Sequence, residues 1–170
     1  MYRISIVDDS DTDIFMLRAL IEDNPEFTPE MEVSVFSSGI DFLDSKQASD
    51  LLFLDMQMDV LDGFHTAREL RKFSSDTVLC FCSAVISPQT EHFEVLPYRY
   101  ILKTEDKEKI RRTVTELLLE MKRRKVKKTL ELVNDGAAFL VPVEDILFLA
   151  KQKHGTKVCL SVKSPLYSTD

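Results

Sequence analysis

The sequence predicts a doubly wound α/β domain on a five-stranded parallel sheet, followed by a small, incomplete all-β unit. Two observations support this division: short β-type runs alternate with helix-length segments up to residue 120, and the hydrophobic period becomes two after residue 127. Charge divides the 170 residues at the same place. Residues 1–120 carry a net charge of minus 12, whereas residues 121–170 carry plus 5. The chain therefore combines two units of different character.

Five β-type runs define the first unit. We predict strands at residues 3–7, 32–36, 51–55, 77–83 and 98–102. The third and fourth runs are almost entirely apolar, which is typical of parallel strands covered on both faces. Five βα units and a parallel sheet with helices on both faces follow from this alternation.

The helices between the strands are indicated by apolar stripes and by caps. One stripe is formed by Ile14, Leu17 and Ile21, and a longer one by Ile110, Val114, Leu117, Leu118 and Met121. Two helix starts are predicted from cap and first-turn residues, at Ser87-Pro88 and at Thr104-Glu105-Asp106.

The second unit is predicted as two hairpins. Residues 129–133 and 137–141 flank a turn at 134–136, and residues 146–150 and 156–162 flank a turn at His154-Gly155. Such a short unit buries little core by itself, so we expect it to be incomplete, paired with another chain or docked on the first domain. The predicted boundaries are 1–122 for the α/β domain, 123–128 for a basic linker or helix end, and 129–170 for the β unit.

Composition excludes several classes of protein. No apolar run approaches the roughly 20 residues of a membrane span, and Asp8 and Asp9 precede any signal core, so we expect a cytoplasmic protein that does not associate with membranes. Three cysteines indicate no disulfide scaffold, and Cys80 and Cys82 are expected in the sheet core. Four glycines cannot form a P-loop or a dinucleotide fingerprint, and three isolated histidines offer no zinc pattern.

Polar residues terminate four of the five predicted strands. These residues are Asp8, Asp9, Asp55, Ser83 and Lys103. Because ligands of open α/β sheets bind at the carboxyl ends of the strands, we expect these side chains to form one site.

The chemistry of this set indicates phosphoryl transfer. Three converging carboxylates repel one another, and a divalent cation relieves the repulsion; all-oxygen ligands favour Mg²⁺. Lys103 and Ser83 can then bind the oxygens of a phosphoryl group, while the Asp55 carboxylate is the candidate nucleophile that forms an acyl phosphate.

Residues 1–122 resemble the receiver domain of two-component response regulators, which has a flavodoxin-like fold. The matching motifs are Ile6-Val7-Asp8-Asp9-Ser10, Leu52-Phe53-Leu54-Asp55-Met56-Gln57-Met58 with Asp62-Gly63, Cys82-Ser83-Ala84, and Tyr100-Ile101-Leu102-Lys103. The resemblance implies a sensor histidine kinase as phosphodonor and Asp55 as phosphoacceptor. It also implies a homodimer candidate on the face around strands four and five.

The same resemblance implies further roles for individual residues. Asp8 and Asp9 would be the acid pair, and Mg²⁺ would be held by Asp9, Asp55 and the main-chain carbonyl of Gln57. Ser83 and Tyr100 would form the switch pair, in which the hydroxyl follows the phosphoryl group and the ring turns inward.

Two positions depart from the family pattern. Asp59 stands where proline is usual and adds negative charge near the pocket mouth, which would alter Mg²⁺ affinity or partner choice. Thr104 stands where Lys-Pro with a cis bond is usual. A cis bond without proline costs about 3 kcal/mol, so the trans form is an alternative at Lys103-Thr104, and the sequence leaves the two forms open.

The second unit is more weakly similar to the start of a LytTR-type DNA-binding domain, an all-β fold about twice as long. The matching stretches are Pro142-Val143-Glu144-Asp145-Ile146-Leu147-Phe148-Leu149, His154, and Val158-Cys159-Leu160-Ser161-Val162. The resemblance implies promoter DNA as a partner, with Lys153, His154 and Lys157 as candidate contacts. The alternative is an adaptor that acts only through protein partners.

Two enzyme hypotheses fit less well. A haloacid-dehalogenase-type phosphohydrolase also uses an aspartate nucleophile and Mg²⁺, but it needs a second acid where this chain has Gln57. A serine hydrolase on Ser83 lacks the nucleophile-elbow surroundings, because Cys82 and Ala84 flank the serine.

Overall fold

The computed structural model describes residues 1–85, 90–125, 129–134, 137–153 and 155–161. The chain divides after Lys125 into two units, which are described separately.

The first unit contains a parallel sheet in the order β2-β1-β3-β4-β5. Its strands are β1 (Tyr2–Val7), β2 (Met31–Phe36), β3 (Leu51–Asp55), β4 (Val78–Ser83) and β5 (Arg99–Leu102). All four pairings between neighbouring strands are parallel. The predicted doubly wound five-stranded sheet is therefore confirmed.

Helices cover both faces of this sheet. They are α1 (Asp11–Glu22), α2 (Gly39–Asp44), α3 (Gly63–Arg71) and α4 (Lys107–Lys125). Buried side chains of α1 and α4 form one core with one face of the sheet, and those of α2 and α3 form a second core with the other face. In the described part of the fourth connection the chain forms a 3-10 helix at Thr90–Val95.

The central strands β3 and β4 are buried along their whole length because each contributes to both cores. On β3, Phe53 packs with the α1 and α4 core while Leu52 and Leu54 face the α2 and α3 core. Cys80 and Cys82 are buried thiols of the first core, which confirms their expected place. The uninterrupted apolar runs of the sequence thus reflect packing on both sides of one strand.

Three predictions about local features of this unit can be compared with the structure. The cap predicted at Ser87-Pro88 lies outside the described residues. The last helix starts at Lys107 rather than beside Thr104, because the Asp106 carboxylate accepts the Glu108 amide N–H at 2.8 Å and caps the first turn. The Lys103-Thr104 peptide bond, whose state the sequence left open, is trans.

The helix α4 ends at Lys125, within residues 123–128, which the sequence assigned to a basic linker or helix end. Its last side chain forms an ion pair with Asp50 at the amino end of β3, and the Lys125 ammonium also lies 5.1 Å from the centre of the Tyr2 ring. These contacts hold the last residue of α4 against the first unit. Residues 126–128 of the predicted linker lie outside the described part of the chain.

The second unit forms two antiparallel hairpins. The first pairs β6 (Thr129–Asn134) with β7 (Ala137–Pro142), and the second pairs β8 (Ile146–Gln152) with β9 (Gly155–Leu160). Gly155 has φ of 145°, a conformation that favours glycine and allows the turn into β9. The predicted small all-β unit is therefore present as two-stranded sheets.

Most apolar side chains described in these hairpins remain exposed to solvent. Val141 is buried, whereas Val133, Leu140, Leu147 and Phe148 are more than half exposed. An open cleft of about 770 Å³ lies among side chains of all four strands, including Leu132, Val141 and Val158, which agrees with the small core expected for this unit.

None of the helices in the described ranges is long and apolar enough to cross a membrane.

Candidate functional site

The carboxyl ends of β1, β3, β4 and β5 are adjacent because these strands are neighbours in the sheet. Asp8 and Asp9 follow β1, Asp55 ends β3, Ser83 ends β4, and Lys103 follows β5. The residues that sequence analysis placed at strand ends thus lie along one edge. Ion pairs and packing determine which of them meet.

Lys103 is the centre of the site. Its ammonium nitrogen lies 2.8 Å from Asp8 Oδ2, 2.9 Å from Asp55 Oδ1 and 2.8 Å from Asp13 Oδ2. Only 4% of the Asp8 and Asp55 side chains is exposed, against 14% of Lys103 and 31% of Asp13. The Lys103 ammonium therefore forms ion pairs with three carboxylates, two of which are buried.

Burial and charge act in opposite directions on these groups. Burial raises the pKa of Asp55 above its ordinary value, while the hydrogen bond and positive charge of Lys103 oppose that rise. Burial alone would lower the pKa of Lys103, but its hydrogen bonds to Asp13, Asp8 and Asp55 raise the pKa above the ordinary range. Lys103 is therefore a permanent positive charge at neutral pH.

A second geometric feature is the acid cluster, which we define as Asp8, Asp9 and Asp55. One carboxylate oxygen from each residue lies within 4.8 Å of the other two. Asp8 and Asp55 are buried and Asp9 is exposed at the edge of the pocket. The arrangement is open to solvent on one side, as a site that admits an ion or a substrate must be.

The turn between β1 and α1 brings in Asp13, which sequence analysis missed. Asp8 Oδ1 accepts a hydrogen bond from the Ser10 amide at 3.0 Å, and Ser10 Oγ accepts one from the Asp13 amide at 3.4 Å. Ser10 thereby caps α1 and places Asp13 in its first turn. The capping serine directly after the acid pair was the available signal.

The loop after β3 packs tightly beneath Asp55. Gln57 donates its main-chain N–H to Asp55 Oδ2 at 3.2 Å. A Cβ atom added at Gly63 would lie 2.2 Å from the Asp55 carbonyl oxygen, so only glycine fits there. Gly63 begins α3, and Asp62 caps this helix by accepting the His65 amide at 2.8 Å.

Ser83 and Tyr100 lie on neighbouring strands but in different surroundings. The buried Ser83 hydroxyl accepts a hydrogen bond from the Val85 amide at 3.2 Å, and the Ser83 carbonyl accepts one from the Lys103 amide at 2.7 Å. The half-buried Tyr100 ring lies 6.3 Å from the Phe81 ring, against the α2 and α3 core. Ser83 thus adjoins the ion-paired site, while Tyr100 belongs to the packing behind it.

Comparison with known proteins decides the family. The profile of the response regulator receiver domain matches residues 4–115, about two thirds of the chain. The chain belongs to the response regulator receiver family. It is accordingly a phosphoacceptor signalling protein with an acidic pocket, as the sequence motifs implied.

Curated relatives of this receiver chain include longer regulators. It is 29% identical over 148 residues to the sensory transduction protein LytT of Enterococcus faecalis. This match covers 86% of this chain and 60% of the relative. It is 26% identical over 129 residues to the transcriptional regulatory protein YpdB of Escherichia coli, and this match covers 68% of this chain and 53% of the relative. The chain thus spans about half of the length of most of these relatives. The LytT match is longer than the receiver unit and so extends into the hairpins.

Solved structures agree on the receiver fold. The response regulatory domain of mrkE from Klebsiella pneumoniae has a TM-score of 0.63 and 26% identity, covering 71% of this chain and 98% of that one. The BeF3-activated DrrB receiver domain has a TM-score of 0.60 and 20% identity, covering 70% and 98%. The Mn²⁺-bound response regulator Rcp1 has a TM-score of 0.56 and 13% identity, covering 68% and 91%.

The candidate DNA contacts lie in the second unit, and the residues of the acidic site lie in the first. Lys153 is exposed in the turn after β8, and Lys157 is exposed on β9, opposite Ala150. His154 lies outside the described residues.

Proposed function

We propose that the receiver unit accepts a phosphoryl group from a sensor histidine kinase on Asp55. The observation that supports this assignment is the position of the Asp55 carboxylate, buried at the sheet edge, 2.9 Å from the Lys103 ammonium. The substitution Asp55→Asn, followed by labelling with a small phosphodonor, tests this assignment.

The acid cluster fits a Mg²⁺ ion. Hard carboxylate oxygens from three residues converge within 4.8 Å. Lys103 neutralises only part of their negative charge. Asp9, Asp55 and the main-chain carbonyl of Gln57 would hold the ion, with Asp8 beside it. When bound, Mg²⁺ would neutralise charge on the phosphoryl oxygens and on the attacking carboxylate.

The transfer itself requires no proton from Asp55. A carboxylate oxygen of Asp55 forms a bond to phosphorus while the bond from phosphorus to the donor imidazole nitrogen breaks, and the electron pair of that bond returns to the imidazole. Asp55 loses its negative charge at the oxygen that becomes bonded. The nearby Lys103 ammonium then pairs with a phosphoryl oxygen, so it stabilises charge in both states.

Ser83 and Tyr100 are proposed to report the phosphorylated state. Ser83 ends the strand beside Asp55, and its hydroxyl is held at rest by the Val85 amide. Movement of this hydroxyl to a phosphoryl oxygen would release the chain after β4. Tyr100 lies half-buried beside Phe81, and its ring would turn inward when that chain moves.

We expect Lys103→Ala to permit phosphorylation but to uncouple it from this rearrangement. Lys103 bonds Asp55 through its side chain and the Ser83 carbonyl through its main chain, so it links the acceptor to the switch. The measurement is hydrogen exchange around Ser83 and Tyr100 before and after phosphorylation. The variant should lose most of the change; a full wild-type response would exclude the coupling role.

We propose that the output of the chain is transcriptional control through the second unit. Three observations support this: the name of the relative YpdB, the extension of the LytT match into the hairpins, and the exposed side chains of Lys153 and Lys157. Residues 121–170 also carry a net charge of plus 5, which suits a polyanionic partner.

The 170-residue chain should bind duplex DNA weakly and without sequence preference. Phosphate contacts need little more than exposed lysines, whereas base readout needs several loops held rigidly by a larger sheet. Affinity should fall by about 0.9 log units per phosphate contact for each log unit of salt. The measurement is a titration against promoter and scrambled duplexes at two salt concentrations.

Substitution of two lysines tests whether the DNA-binding surface lies in the second unit. The double variant Lys153→Ala and Lys157→Ala should lower the salt dependence by about two contacts. The matched control Lys46→Ala, an exposed lysine of the first unit, should leave binding unchanged. Preference for one duplex at the higher salt would show that the hairpins read bases. No binding at either salt would instead favour an adaptor that acts through protein partners.

A further inference from the structure

We propose that Asp13 is a positioning residue that restrains Lys103 at rest and thereby weakens the affinity of the pocket for a phosphoryl group. The proposal rests on the proposed function of Asp55. It concerns a residue outside the acid cluster, on the first turn of α1.

The geometry at Lys103 leaves it no spare donor. A lysine ammonium has three N–H groups, and three carboxylates lie at 2.8, 2.8 and 2.9 Å from the nitrogen. A phosphoryl oxygen can bond Lys103 only if one of these contacts is exchanged. Asp55 loses charge when it is phosphorylated, but Asp8 and Asp13 keep theirs and compete with the phosphoryl group for the same ammonium.

Asp13 differs from the other two carboxylates that contact Lys103. Asp8 and Asp55 belong to the acid cluster, where a divalent cation would offset their charge. Asp13 contributes no ligand atom to that cluster, so its full charge stays directed at Lys103. With the cation bound, Asp13 becomes the strongest remaining competitor.

The contact is fixed by the local fold. Ser10 caps α1 through the Asp13 amide, which sets the position of the Asp13 side chain relative to β1. About two thirds of that side chain is shielded from solvent, so the pair is screened less than a surface ion pair. Its effect on anion binding is therefore expected to exceed that of the exposed Asp11 on the same turn.

The test uses beryllofluoride, a tetrahedral mimic of the phosphoryl group, titrated into the full chain at saturating Mg²⁺ and followed by ¹⁹F NMR. Asp13→Asn keeps the shape of the side chain and removes its charge, so it should tighten binding about three- to tenfold, as expected for loss of one partly shielded ion pair. Asp13→Glu should restore wild-type affinity.

Asp11→Asn is the matched control, since it removes the same charge from the same helix turn. Asp11 is exposed, and it lies in the same first turn as Asp13. Removal of either charge should therefore change the interaction with the helix dipole by the same amount. Binding by this variant should stay within about twofold of wild type. Equal tightening in both variants would show a general charge effect and overturn the role of Asp13.

A second readout is the ¹⁹F resonance of the fluoride nearest Lys103. It should shift in Asp13→Asn, because the ammonium bonds it more closely, and stay unchanged in Asp11→Asn. Wild-type affinity and an unshifted resonance in Asp13→Asn would overturn the inference while leaving the proposed function intact. Absence of Mg²⁺-dependent beryllofluoride binding by the wild-type chain would overturn the proposed function itself.

Discussion

Asp55→Asn is expected to abolish Mg²⁺-dependent labelling by a small phosphodonor. The substitution keeps the size and planarity of the side chain but removes the nucleophilic carboxylate, so no acyl phosphate can form. Because Asp55 is a buried member of the Lys103 ion-pair network, the variant also tests whether the charge is needed for folding. Intact-mass spectrometry of the labelled chain measures the first effect, and thermal unfolding the second.

The matched control for this variant is Asp59→Asn. Asp59 is an exposed acid in the loop just after Asp55, so its loss changes the charge near the pocket mouth without removing the proposed nucleophile. We expect normal labelling in the control. Labelling that persisted in Asp55→Asn, or that moved to Asp59, would refute the assignment of the acceptor.

Gly63→Ala is expected to damage both the fold and the site. The added methyl group would lie 2.2 Å from the Asp55 carbonyl oxygen and 3.0 Å from Met56 Cα, which are both main-chain atoms. The loop between β3 and α3 would have to shift, at a cost of about 1–3 kcal/mol in the free energy of unfolding. Labelling should slow about 10- to 100-fold, because displacement of Asp55 by even ~1 Å disrupts its alignment with the donor.

Urea denaturation and the initial rate of labelling measure these two effects. Gly39→Ala serves as comparison, since its methyl group would meet the buried Thr66 hydroxyl at 2.0 Å, a side-chain contact between α2 and α3. That variant should lose stability while retaining the wild-type rate in its folded fraction. If Gly63→Ala matched wild type in both measurements, the close approach to Asp55 would have no functional importance.

The strands and the strand-end residues could be predicted because the signals for both are local. A strand buried on both faces is a run of apolar residues, and β3 and β4 have this pattern in full. Ligand sites in such sheets form at carboxyl ends, so Asp8, Asp55 and Lys103 could be assigned to one edge. Their ion pairs confirm that these three side chains meet.

Features that depend on packing between distant segments could not be predicted in the same way. Asp13 resembles an ordinary acid in a helix first turn, and its contact with Lys103 joins residues 90 positions apart. The contact made by the last residue of α4 could not be predicted for a similar reason. Lys125 pairs with Asp50, which lies 75 positions earlier in the chain.

By itself the sequence determined the fold class and the chemical character of the site. Apolar runs, capping residues and the acids at strand ends are properties of short segments, and their meaning does not depend on distances across the molecule. Only the tertiary structure decided the partners: which carboxylates share the Lys103 ammonium, that Gly63 lies against the Asp55 main chain, and that Tyr100 packs beside Phe81. Ion pairing and steric exclusion act over a few ångströms, and the sequence does not give separations on that scale.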